Sequence, residues 1–152
     1  MRLSRYNCKN IYKEGYAHDI YKAVELKEGQ DVAIVVCGPI LGHALEAADL
    51  LEKDGVSAGV INIPVIKPLD TEGVMKAAEK YPVLVVVEEH SVYGGLGSAV
   101  AETVAEMKVI DKAIVAREGI KDDFGESGTA AELLDKHELD AEGIAKKVMR
   151  NI

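Results

Sequence analysis

At 152 residues the chain fits a single domain, whose core can bury about two-thirds of the unfolded surface. Hydrophobic residues make up 48% and charged residues 29%; with no Trp and one Phe, the packing falls to Val, Ile, Leu and Ala, which suits an α/β sandwich. A formal charge of −8 argues against a nucleic-acid partner, which needs a basic stripe, and no apolar run approaches the roughly 18 residues of a membrane span.

Residues 1–17 are polar, mixed in charge and aperiodic, and read as a linker or arm; the packed domain is expected over 18–152. The N-terminus has no apolar signal region, and Cys8 and Cys37 form neither a CxxC pair nor a disulfide framework, which points to a reduced, cytoplasmic setting. Ile20 to Leu26 alternates weakly and predicts a short edge strand, ended by the turn Lys27-Glu28-Gly29-Gln30. Val32 to Val36 is a strand of the fully buried kind, closed by Cys37-Gly38-Pro39. Leu41, Ala44, Leu45, Ala48 and Leu51 then share a helical face, and Gly55 ends that helix near residue 54.

Val56 to Ile63 predicts a third strand, and Asp70 or Thr71 can cap a helix carrying Val74, Met75, Ala77 and Ala78. Val83 to Val87 is five apolar, mostly β-branched residues, a second strand buried on both faces, which stops at Glu88, Glu89 and His90. Gly94, Gly95 and Gly97 turn the chain into a small-residue helix starting near Gly97. Ala113 to Ala116 is a last strand, followed by the acidic loop Asp122-Asp123-Phe124-Gly125-Glu126-Ser127-Gly128, read as solvated surface. Two helices close the chain. Thr129 and Glu132 form a capping-box pattern for the first, and Ile144, Val148 and Met149 are the expected buried stripe of the second.

Alternating strands and helices predict a three-layer α/β/α sandwich around a mostly parallel five-stranded sheet. The connection after the first strand is about four residues, too short for a parallel crossover, so that strand should be an antiparallel edge. If the sheet winds both ways from its centre, the loops after Val36 and Val87 open side by side, gathering Cys37, Gly38, Glu89, His90 and Gly94 on one surface.

The glycine cluster superficially offers an anion cradle, but counting GxGxxG from Gly95 reaches Gly97 and then Val100, and no GxxxxGK[ST] run exists. Close backbone passage at a helix entry is the plainer reading. The four histidines show no metal-ligand spacing; His90 reads either as a proton-transfer group or as a source of interface or loop-fixing hydrogen bonds. Glu88 and Glu89 are adjacent in extended chain and point to opposite faces, so they cannot work as an acid–base pair. Cys37, beside Gly38 and a helix start, is either a thiol of lowered pKa or a small buried hydrophobe.

The run from Val87 to Glu102, containing Glu89-His90-Ser91-Val92-Tyr93-Gly94-Gly95-Leu96-Gly97-Ser98, resembles the signature of the transketolase C-terminal domain. So do Asp31-Val32-Ala33-Ile34 leading to Gly38, Val60-Ile61-Asn62-Ile63, Ile66-Lys67-Pro68-Leu69-Asp70 and Asp123 to Gly128, in order and spacing. Met1 to Arg5 resembles the last strand of the preceding pyrimidine-binding domain, which implies that residues 1–17 are an arm from that domain. The resemblance implies a C-terminal packing and dimerisation domain without catalytic residues, in a transferase of the pentose phosphate pathway that moves two-carbon ketol units between sugar phosphates. Its thiamine diphosphate and Mg2+ belong to the assembled enzyme and are not bound by this domain alone. The implied partners are the N-terminal and pyrimidine-binding domains and a second copy. Cys37, Gly38, Glu89, His90, Gly94, Gly95, Gly97 and Ser98 are the expected interface or anion-binding surface. The alternatives are a small-anion or effector binding module, or the equivalent domain of 1-deoxyxylulose-5-phosphate synthase or of a 2-oxo-acid dehydrogenase β subunit.

Overall fold

The structure, a computed structural model, describes residues 8–152; the strand expected over Met1 to Arg5 lies outside them. Among the described residues a five-stranded sheet runs in the order β1-β3-β2-β4-β5, formed by β1 (Val24–Lys27), β2 (Val32–Val36), β3 (Ala58–Asn62), β4 (Val83–Ser91) and β5 (Ile114–Ile120). β1 pairs antiparallel with β3, and every other pairing is parallel, as the short first connection requires. The helices are α1 (Leu41–Lys53), entered through a 3-10 turn at Gly38–Ile40, α2 (Thr71–Lys80), α3 (Leu96–Ala105), α4 (Ala130–Lys136) and α5 (Ala141–Asn151).

Two apolar layers follow from the period-2 alternation of the central strands. Val32, Ile34, Val36, Val83, Val85 and Val87 face Ala44, Ala48 and Leu51 of α1, Leu134 of α4, and Ile144 and Val148 of α5. Ala33, Val35, Leu84 and Val86 face Val74, Ala77 and Ala78 of α2, and Val100 and Val104 of α3. The result is the expected α/β/α sandwich. The capping box forms as its spacing predicts, with Thr129 accepting from the Glu132 N–H.

Several boundaries differ from expectation, each for a local reason. β1 starts at Val24 rather than Ile20, because the Asp19 carboxylate accepts the Tyr21 N–H at 2.9 Å and folds 19–22 into a turn, leaving Ile20 and Tyr21 exposed. Asp70 holds the N-cap position of α2, but its carboxylate accepts the Ala23 N–H at 2.9 Å and so fastens the start of β1. β3 loses Val56, whose N–H closes the end of α1 on Leu51, and Ser57, whose N–H goes to Asp31. β5 continues past Ala116 to Ile120, carried by pairing with β4. Met149 does not join the buried stripe of α5: it is 48% exposed, and Lys147 points inward instead to an ion pair with Glu118 of β5 at 3.0 Å. Phe124, at 97% exposure, confirms the loop after β5 as surface.

Candidate functional site

β2 and β4 lie side by side in parallel, with Val36 opposite Val87. The chain leaves β2 through α1 on one face and β4 through α3 on the other, so their carboxyl ends form the switch point of the sheet, where such folds place ligands and partners. Cys37, Gly38, Glu89 and His90 all reach this edge. β4 runs four residues beyond Val87, with an irregularity in its pairing to β5 before Ser91 meets Ile120. Glu88 and Glu89 diverge as adjacent strand residues must: Glu88 is buried and Glu89 exposed.

On the α1 side, Glu89 lies within electrostatic reach of His43 and His90. Partial burial lifts its carboxyl above the usual glutamate range, and the nearby His43 and His90 oppose that rise. His43 sits in the first turn of α1, 3.8 Å from Glu46, and sequence spacing gives no reason to group it with His90. The His90 side chain is exposed, and its Nδ1 accepts the Ser91 N–H at 2.8 Å, a loop-fixing contact.

On the α3 side, the residue that organises the turn is one that sequence patterns do not single out. Glu88, 3% exposed, turns its carboxylate onto the N-terminus of α3, where Oε2 accepts the Leu96 N–H at 2.9 Å and Oε1 the Gly97 N–H at 3.0 Å. Those are the free donors at which a helix start would otherwise bind an anion. Gly95 is required by this approach, since a Cβ there would stand 1.9 Å from Oε2. Gly94 has φ +73°, and its N–H donates to Ser98 Oγ at 2.9 Å. Ser98 Oγ and Arg117 Nη1 both donate to the Val92 carbonyl, at 3.3 and 3.1 Å. Arg117 also lies 5.9 Å from the ring centre of the exposed Tyr93. Gly94, Gly95, Gly97 and Ser98 are thus knit into one turn around Glu88, while Cys37, Glu89 and His90 flank it. The sequence does hold a faint signal for Glu88, namely two glycines seven and nine positions after a glutamate that ends an apolar strand.

Cys37 does not have a lowered pKa. Burial, then the charges of Glu88 and Glu89, push its thiol up to about 11, so the small-hydrophobe reading holds. Alkylation of Cys37 by iodoacetamide, followed by peptide-resolved mass spectrometry, is expected to be slow at pH 7 and to accelerate about tenfold per pH unit through pH 9, because thiolate is the nucleophile. A plateau below pH 8.5 would contradict this.

The arm lies against the same edge. Ile11 packs on the core layer beneath α1, Tyr12 Oη accepts from Asn62 Nδ2 at 2.8 Å at the end of β3, and Tyr12 stacks on Tyr16 with ring centres 4.8 Å apart. Lys9 pairs with Glu46 of α1. Residues 8–18 are therefore partly packed on the domain, through the aromatic side chains that their polar composition conceals.

The family profile described as "Transketolase, C-terminal domain" matches residues 21–144. The chain belongs to the transketolase C-terminal domain family. A Methanocaldococcus jannaschii protein, provisionally named a transketolase C-terminal section, is 38% identical over 154 residues, which cover 100% of this chain and 47% of that protein. A 1-deoxy-D-xylulose-5-phosphate synthase of Dehalococcoides mccartyi is 40% identical over 124 residues, 82% of this chain and 20% of the enzyme. Among solved structures, one described as a split-gene transketolase in an inactive β4 tetramer superposes with a TM-score of 0.87 at 37% identity, over 97% of this chain and 47% of that one. The chain thus spans about half the length, or less, of the relatives it matches.

The transketolase family generally uses thiamine diphosphate with a divalent metal. This transketolase C-terminal domain does not fit that group at its switch point. Among the described residues no three His, Cys, Asp or Glu side chains converge as a metal site, and the helix start that would receive a diphosphate holds Glu88.

Proposed function

We propose that this chain is the noncatalytic C-terminal section of a cytoplasmic transketolase, split or truncated, in which it works with the N-terminal and pyrimidine-binding domains. In the assembled enzyme those domains hold thiamine diphosphate and Mg2+ and transfer two-carbon ketol units between sugar phosphates, while this domain packs against them and against a second copy. The observation that carries the reading is the occupancy of the α3 N-terminus by Glu88. It leaves the Gly94 to Ser98 turn without a vacant anion cradle, which counts against a small-anion or effector module. What the edge offers outward is Glu89, His90 and Tyr93, side chains suited to a protein surface. The relation to a split-gene transketolase supports partner subunits of transketolase, and the arm at 8–18 supports an approach by the preceding domain along the carboxyl edge.

The test is reconstitution. The chain alone, the missing domains alone, and the mixture are assayed for ketol transfer from a ketose phosphate to an aldose phosphate with thiamine diphosphate and Mg2+. Activity is expected only in the mixture; full activity of the other domains by themselves would overturn the proposal. The 40% identity to a 1-deoxyxylulose-5-phosphate synthase favours a second reading, membership of that enzyme's assembly. It predicts that the same mixture forms 1-deoxyxylulose 5-phosphate rather than exchanging ketol units.

A further inference from the structure

Glu88 is an unusual strand residue. It follows Val87 at the carboxyl end of β4, one residue past the last β2–β4 pair, and is only 3% exposed, yet among the described residues no basic side chain is one of its hydrogen-bond partners. Its two oxygens are matched one to one with two backbone N–H groups at the positive end of α3. The space around it is cut to the carboxylate: a Cβ at Gly95 would lie 1.9 Å from Oε2, and one at Gly97 would lie 3.1 Å from Oε1. This is how a protein holds a bound anion, except that the anion is tethered to the neighbouring strand.

We propose that Glu88 is the resident anion of the α3 N-terminus and a positioning residue for the docking turn. It fixes where α3 begins, and hence the path of 92–95 between β4 and α3, which carries Tyr93 outward. Its removal leaves a seat for a free small carboxylate, of formate or acetate size, bound by the Leu96 and Gly97 N–H groups. The seat follows from the geometry alone, whereas the effect on docking rests on the interface reading above, and the two are read out separately.

The experiment compares wild type, Glu88→Ala and Glu88→Gln in thermal unfolding, at constant ionic strength, in sodium chloride, formate or acetate. Glu88→Ala is expected to melt about 10 °C below wild type, given two lost charge-assisted bonds in a domain of this size. Formate or acetate, but not chloride, should restore part of that loss saturably. Wild type should not respond. Glu88→Gln keeps the shape but turns an NH2 toward a backbone N–H, so it should also melt lower, with faster amide exchange at Leu96 and Gly97. A Gln variant as stable as wild type, or wild type stabilised saturably by these anions, would overturn the assignment. Should Glu88→Ala fail to fold, the Gln comparison and its amide exchange decide the question. Affinity for the missing transketolase domains is measured alongside, and about a tenfold loss in Glu88→Gln is expected. Lost stability with unchanged affinity would overturn the positioning role and leave the seat standing.

Discussion

Replacing Gly95 by alanine is expected to lower the melting temperature by about 10 °C, a loss on the order of 3–5 kcal/mol. The added Cβ would stand 1.9 Å from Glu88 Oε2 and 2.7 Å from its Cδ. A flexible surface side chain would swing aside at small cost, but Glu88 is buried in a central strand and held at both oxygens. Either the first turn of α3 shifts, or the carboxylate leaves one or both N–H donors and remains buried without them. Overpacking contributes roughly 1–3 kcal/mol and a lost bond to a charged group about 1.5–3 kcal/mol. Gly94→Ala is the control. Its φ of +73° makes a side chain strained, yet a Cβ there would meet no atom within 4 Å, so the loss should be about 1–2 kcal/mol. Urea unfolding of the two variants checks the order. A Gly94 variant less stable than the Gly95 variant would mean that backbone strain, not the approach of Glu88, dictates the glycines.

The contrast between these two glycines shows where the sequence is legible. A tight turn after a buried strand is a local signal, and so are the apolar runs of β2 and β4, the connection after Lys27 too short for a crossover, and the Thr129 capping box. Each is written within a few neighbouring residues, and from them the sandwich, the antiparallel edge and the adjacency of Val36 and Val87 follow. Glu88 is different. A carboxylate after five apolar residues reads as the end of burial, because nothing local distinguishes a solvated glutamate from one whose oxygens are satisfied by backbone donors eight and nine residues away. Cys37 is ambiguous in the sequence for the same reason: its thiol is raised by burial and by the charges of Glu88 and Glu89, across the β2–β4 pairing, rather than lowered by the helix start beside it. His43 joins Glu89 and His90 only through the packing of α1 beside the edge. Residues that act through contacts across strands leave almost no pattern in the chain.

Lys147→Met is expected to cost about 3–5 kcal/mol, the loss that follows when one member of a buried ion pair is removed. Lys147 and Glu118 are 5% and 9% exposed, and their charged atoms meet at 3.0 Å. With Lys147 gone, Glu118 keeps Asn151 Nδ2 at 3.0 Å, and Lys121 is 4.0 Å away with a largely solvated side chain, so the buried charge is left undercompensated. Methionine fills the aliphatic volume, which confines the effect to charge. The double variant Glu118→Leu with Lys147→Met should recover most of the loss or exceed wild type, because the desolvation of both charges disappears with them. Thermal unfolding of the two single variants and the double completes a cycle whose coupling energy isolates the pair. The exposed pair Glu72–Lys76 serves as a control, and Lys76→Ala should leave the melting temperature unchanged within error. If the double variant is stable while α5 tolerates either Lys147 or Met149 as its inward residue, the pair contributes orientation rather than net stability. Positions 147, 148 and 149 occupy one turn of α5, and their apolarity alone favours Met149 facing the core. Glu118, 29 residues earlier on β5, selects the rotation that buries Lys147 instead and leaves Met149 on the surface.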